Sequence, residues 1–241
     1  MNTAIDLNAD VGEGGAQDEA LFSAGITSAN VACGGHAGDE TTMAAACERC
    51  ARHGVALGGH PGFADREHFG RRERILDEAA LECLVREQVG ALREVAARHG
   101  GLSIRHVKPH GALYHLLNRD ARLAARFVAV VHSVASGARI YGPPSGELRE
   151  AAGRSGVGFI AEGFMDRAYQ PDGTLVPRGE PGACLDNEQD VVAQALRLAV
   201  QGAVGTLCVH GDGESATRFL SAAKRGLGEA GFRIAAPVRA A

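Results

Sequence analysis

Residues 26–60 read "ITSANVACGGHAGDETTMAAACERCARHGVALGGH". The run ITSANVAC has the small and β-branched composition of a strand. A helical stretch follows from about 39 to 53, and VALGGH reads as the next strand. Two short strands joined through a helix are the signature of a parallel pair, because a hairpin turn cannot join strands that run the same way.

The same alternation extends in both directions. TAIDLNAD precedes it as a first strand. Beyond it, a helix is predicted over about 77–99, with Leu81, Leu84, Val85, Leu92 and Val95 largely at helical spacing, Asp77 as its cap and Gly100 as its stop. IRHVK, ARIYG, VGFIAEGF and GTLCVHGD read as strands four to seven. Helices are expected over about 119–135, 145–156, 188–201 and 215–230, and FRIAAPV resembles an edge strand. Residues 165–185 form a long loop able to fold as a hairpin lid.

Seven β-α units fit a closed barrel or an open doubly wound sheet. No G-x-G-x-x-G opens the first helix, which weakens the dinucleotide-binding version. With 241 residues, 45% hydrophobic content and no Pro/Gly/Ser linker, the expectation is one domain over 1–241. Its form is expected to be an irregular seven-stranded α/β barrel.

Net charge is −4 with both signs interspersed, so neither nucleic acid nor an anionic membrane is an expected partner. No apolar run is long enough to span a bilayer, and the first residues lack a leader pattern. A cytoplasmic protein with reduced thiols is expected. Cys47 and Cys50 form a lone C-x-x-C inside a helix, better suited to core packing than to zinc. Glycine is the outlier at 33 residues, against a usual share of about 7%. It clusters beside charged or imidazole side chains, as in CGGHAG, GGHPG and HGDG.

In parallel α/β folds the site lies at the carboxyl ends of the strands. Those ends carry Asn8, Asp10 and Glu13; Asn30, Cys33, His36 and Asp39; His60; Lys108, His110 and Tyr114; Glu162, Asp166 and Arg167; and His210 and Asp212. Bland alternatives stand beside them. Asp39 can cap its helix, Asn30 can serve a turn, Cys33 can be a buried strand end, and Arg71 and Arg72 can be a solvated pair or an anion clamp. Carboxylates beside His and Lys suit proton transfer and oxyanion stabilisation, with acid–base help giving about 10²–10⁴-fold. If a divalent metal is held, Asp10, His36 and His60 are the least strained set. In HVKPHGALYH, Lys108 and His110 read as an electrophilic, acid–base edge. No serine elbow or Walker A loop is present.

The blocks DLNADVGEG, SANVACGGHAGD, GGHPGF, FGRR, HVKPHGALY, EGFMDRAY, GTLVPR and CVHGD resemble those of the LamB/YcsF family, the A component of bacterial ATP-dependent 5-oxoprolinase. The match runs from Asp6 to Asp212, with EHFGRR standing where the family has GFGRR. The resemblance implies a distorted barrel akin to the glycoside hydrolase/deacetylase superfamily. It also implies ATP-driven opening of 5-oxoproline to L-glutamate, with partner subunits B and C. By position, Asp10, Glu13, His60, Lys108, His110 and Asp212 are candidate catalytic residues. Asn8, Asn30, His36, Asp39, Arg72, Glu162, Arg167 and His210 are candidate substrate contacts. ATP, with its Mg, is expected to act through the complex, since the chain has no nucleotide loop. A free-standing metal-dependent deacetylase and a non-catalytic substrate-binding subunit are the alternatives.

Overall fold

The computed structural model describes residues 3–15, 17–210 and 215–237. Seven parallel strands follow one another around a closed barrel: β1 (Ala4–Val11), β2 (Ser28–Ala32), β3 (Ala56–His60), β4 (His106–Val107), β5 (Arg139–Gly142), β6 (Phe159–Phe164) and β7 (Thr206–Val209). β7 pairs back to β1, with Asn8 opposite Cys208, and β1 pairs to β2, with Asp10 opposite Asn30. The expected edge strand is β8 (Arg233–Ile234), which pairs with Ala4 and Ile5 at the start of β1.

The helices form the outer layer: α1 (Asp18–Ala24), α2 (Glu40–His53), α3 (Glu78–Arg98), α4 (Gly111–Arg119), α5 (Ala121–Val134), α6 (Glu147–Arg154), α7 (Glu188–Gln201) and α8 (Ala216–Glu229). Asp77 caps α3 through Ala80 N, as its place before the apolar stripe predicts. The helix expected over about 119–135 starts later, and a separate α4 precedes it. Asp120 ends α4 and its carboxylate accepts from Arg122 N and Leu123 N to start α5. The short α1 has no counterpart among the expected helices. Between 165 and 185 the chain makes two antiparallel bridges, Arg167 to Cys184 and Tyr169 to Leu175, as a loose hairpin.

β1 shows why this barrel is unusual. Ile5, Leu7, Ala9 and Val11 join the apolar core beneath the helices. The alternate residues Asp6, Asn8 and Asp10 point into the interior, where they meet Tyr141 of β5 and Lys108 just after β4, because side chains on a strand alternate faces. Asp6 accepts from Ser28, Thr206 and Tyr141. Asn8 donates to Thr206, and Asn30 donates to both Asn8 and Asp10. His106, stacked on Tyr141, donates to Asn30 Oδ1 at 2.7 Å. These groups are buried, and the network gives each of them at least one partner, leaving His106 Nδ1 without one. Gly58 makes room for it, since a Cβ there would collide with the His106 ring.

Cys47 and Cys50 lie in the apolar core, where burial pushes their thiols up to about 11 and about 12. No helix among the described residues is long and apolar enough to cross a membrane.

Candidate active site

The interior network ends in charge at the carboxyl ends of the strands. Lys108 follows β4 directly and is 2% exposed. Its ammonium lies 2.8 Å from Glu162 Oε1 and 3.1 Å from Asp10 Oδ1, and it also donates to Cys208 Sγ at 3.1 Å. Burial opposes the charge, but Asp10, Cys208 and Glu162 outweigh it and hold the amine well above its ordinary range. Burial likewise opposes ionisation of Asp10, and His60 with Lys108 reverses it, holding the carboxyl well below the usual range. The lysine is therefore a fixed positive charge and not a base. Tyr114, on α4, is buried beside Glu162, and burial together with that carboxylate raises its phenol well above normal.

Above this floor lies a ring of imidazoles. His60 ends β3, His36 sits in the β2–α2 loop, and His110 precedes α4. His60 Nε2 is 3.0 Å from His110 Nδ1 and 3.4 Å from Asp10 Oδ2. His36 stacks on His110 with centroids 3.6 Å apart, and its Nε2 meets Glu13 Oε1 at 2.9 Å.

A cavity of about 630 Å³ opens over both groups, bounded on its far side by Leu175, Val176 and Arg178 of the loose hairpin. That is the size of a small-molecule site. His210 reaches it from the end of β7. Asp166 accepts from both His210 N and His210 Nδ1, at 2.9 and 3.0 Å, which puts the ring proton on Nδ1 and leaves Nε2 as the acid–base nitrogen. Arg167 lines the same wall, 5% exposed, donating to the carbonyls of Ala183 and Val176. Among the described residues no carboxylate pairs with it.

The pattern of the LamB/YcsF family matches residues 5–241. The chain belongs to the LamB/YcsF family. A lactam utilization protein from Thermus thermophilus is 33% identical, with a TM-score of 0.89 over 97% of this chain and 99% of that one. A peptidoglycan N-acetylglucosamine deacetylase domain from Eubacterium rectale shares the barrel at 9% identity and a TM-score of 0.56, covering 99% of this chain and 90% of that one. A family 4 carbohydrate esterase from Streptomyces lividans does so at 12% and 0.53, covering 97% and 92%. The barrel is thus of the deacetylase-like kind.

For this LamB/YcsF chain, the structure gathers most of the residues singled out at the strand ends. Asp10, Glu13, His60, Lys108, His110, Arg167 and His210 line the cavity. Asn8 and Asn30 lie beneath it, fully buried, where they orient Asp10 and Lys108 and do not face a ligand. Glu162 is likewise buried, as the counter-ion of Lys108. Asp39 is at the helix cap: its carboxylate accepts from Thr42 N while Thr42 Oγ1 accepts from Asp39 N, closing a capping box on α2. Arg72 is exposed and does not line the cavity, whereas its neighbour Arg71 does, lying over the Phe69 ring. Asp212 lies outside the described residues. Cys33 donates to Val31 O, and burial pushes its thiol up to about 12, so it is no nucleophile.

The metal set also differs from the expected Asp10, His36 and His60. The donor atoms that come within 4.8 Å of one another belong to Glu13, His36, His60 and His110. Three imidazoles and a carboxylate whose donor atoms approach this closely suit a divalent cation. Sequence reasoning gave His110 to the lysine beside it, because the loop that brings Glu13 and His36 over β3 is not legible from spacing. It favoured Arg72 over Arg71 and passed over Arg178, although FGRR and GTLVPR had marked both stretches.

Proposed function

We propose that this LamB/YcsF chain is the A component of a 5-oxoprolinase, opening the lactam of 5-oxo-L-proline to L-glutamate. The observation that carries the reading is the Lys108 ammonium fixed between Asp10 and Glu162 at the floor of the cavity. Family membership and the likeness to a lactam utilization protein support the substrate class.

A lactam carbonyl gains negative charge as water adds, and a preorganised cation in a dry site stabilises that charge. Lys108 supplies it, with Asn8, Asn30 and Glu162 keeping the side chain in place. His210 Nε2, with its tautomer set by Asp166, takes the proton from the attacking water. It returns that proton to the ring nitrogen as the C–N bond breaks. Arg167, buried and with no carboxylate partner among the described residues, is positioned for the substrate's carboxylate. A divalent cation held by Glu13, His36, His60 and His110 would supply Lewis acidity at the same mouth. Coupling to ATP is assigned to partner subunits B and C, with Mg accompanying the nucleotide.

The test mixes purified chain with subunits B and C, 5-oxoproline and ATP, and measures glutamate. Turnover that needs all three chains and ATP is expected. Full turnover with this chain left out would reject the reading. The histidine cluster favours one rival, a metal-dependent deacetylase. Metal-stimulated acetate release from N-acetylated sugars by the chain alone, with no lactam turnover in the complex, would select it.

A further inference from the structure

We propose that His36, His60, His110 and Glu13 bind a zinc-class divalent cation, and that Asp10 stays outside the ligand set as the partner of Lys108. Two backbone carbonyls fix the protons of the cluster. His60 Nδ1 lies 2.7 Å from Lys108 O, and His110 Nε2 lies 2.8 Å from Phe69 O. A carbonyl oxygen only accepts, so each of those nitrogens carries its ring's proton. The remaining nitrogens, His60 Nε2 and His110 Nδ1, are then bare in the neutral rings, and they face each other at 3.0 Å. Two lone pairs held at that distance repel unless a positive charge sits against both.

A metal ion fits the spacing. Zinc–nitrogen bonds of about 2.0–2.1 Å place tetrahedral donors about 3.4 Å apart. Here Glu13 Oε1 is 2.9 Å from His36 Nε2 and 3.6 Å from His110 Nδ1.

The cluster is also held rigidly. A Cβ on Gly62 would stand 2.8 Å from His36 Nδ1, and one on Gly70 would stand 2.8 Å from His36 Cβ. Gly70 has a φ of +62, which glycine adopts without strain. The close approach of these backbones keeps the rings stacked.

Three imidazoles favour zinc and its transition-metal neighbours over magnesium, which prefers oxygen ligands. Asp10 Oδ1 is engaged by Lys108 and Asn30; its Oδ2 lies 3.4 Å from His60 Nε2, but Asp10 falls outside the set of donors that all come within 4.8 Å of one another.

The inference needs neither lactam nor partner chains, so it stands or falls apart from the proposed function. Purified chain is stripped with chelator, titrated with Zn²⁺ against a chromophoric competitor, and its bound metal counted. One zinc per chain is expected, with affinity reduced at least about 100-fold in His110→Ala and kept within about tenfold in Asp10→Asn. Substoichiometric zinc in the wild type, tighter binding of Mg²⁺ than Zn²⁺, or undiminished affinity in a folded His110→Ala would overturn it. If that variant does not fold, zinc-edge X-ray absorption of the wild type reads the ligands directly. Three imidazoles are expected there, and fewer than two would overturn the assignment.

Discussion

Lys108 Nζ lies 2.8 Å from Glu162 Oε1, beneath a cavity large enough for a small molecule and almost entirely out of water. A buried pair of this kind is weak evidence of stability in itself, but removing one member strands the other. Glu162→Gln leaves Asp10 to balance Lys108 alone, whereas Lys108→Met leaves two buried carboxylates with no cation. Lys108→Met is therefore predicted to cost more, about 3–5 kcal/mol. Urea denaturation of both variants checks the order, and an equal or smaller loss in Lys108→Met would contradict it.

The Asp166–His210 pair makes a separable prediction. Asp166→Asn keeps the volume but removes the charge that fixes the His210 ring. Turnover in the reconstituted complex is expected to fall by about 10²–10⁴-fold, the scale of acid–base catalysis. KM should change little. A rise in KM at constant kcat would make His210 a binding residue instead.

Arg167 and Arg72 can be told apart by the same assay. Arg167→Gln is expected to raise KM for the lactam at least about tenfold, since it removes a buried cation from the cavity wall. Arg72→Gln, on the exposed loop, should leave KM unchanged. Matched effects would put the anion site elsewhere.

Acid should destabilise the metal-free chain. Burial pushes His36 and His106 down to about 3 and holds His110 well below the ordinary range. As pH falls through about 6.5, the unfolded chain takes up protons that the folded chain refuses. The unfolded state then binds more protons, so stability is present above about 6.5 and is lost as pH falls towards 3. Each imidazole contributes up to about 1.4 kcal/mol per pH unit. Asp6 and Asp18, raised by burial, work in the opposite direction above their unfolded value of 3.8, but as two carboxyls against four imidazoles, since burial lowers His115 as well. The urea midpoint should drop from about pH 7.5 to about pH 5; a constant or rising midpoint would contradict this.

What was legible in the sequence follows from local chemistry. The alternation in TAIDLNAD marked β1, and an acidic cap before an apolar stripe marked α3. The parallel barrel followed from repetition of such units. The same β1 alternation also announced the polar interior, through Asp6, Asn8 and Asp10, yet in isolation it reads as an ordinary half-buried strand. Only closure of the barrel shows that the polar face points inward. The histidine cluster was illegible for a related reason. Its members come from three loops and strand ends, and their approach depends on Gly62 and Gly70 letting backbones close around His36. Asp39 has two readings in the sequence, helix cap and substrate contact; the structure shows the cap, a local role that closes the first turn of α2.

The account's central claim is that this cavity, with Lys108 at its floor, is where the lactam opens. The most direct measurement is glutamate formation from 5-oxo-L-proline and ATP by the three-component mixture carrying Lys108→Gln, its fold verified by circular dichroism. The account predicts a rate at least about 100-fold below wild type, the scale of losing one preorganised charge-stabilising donor. A folded Lys108→Gln chain that supports wild-type turnover would contradict it.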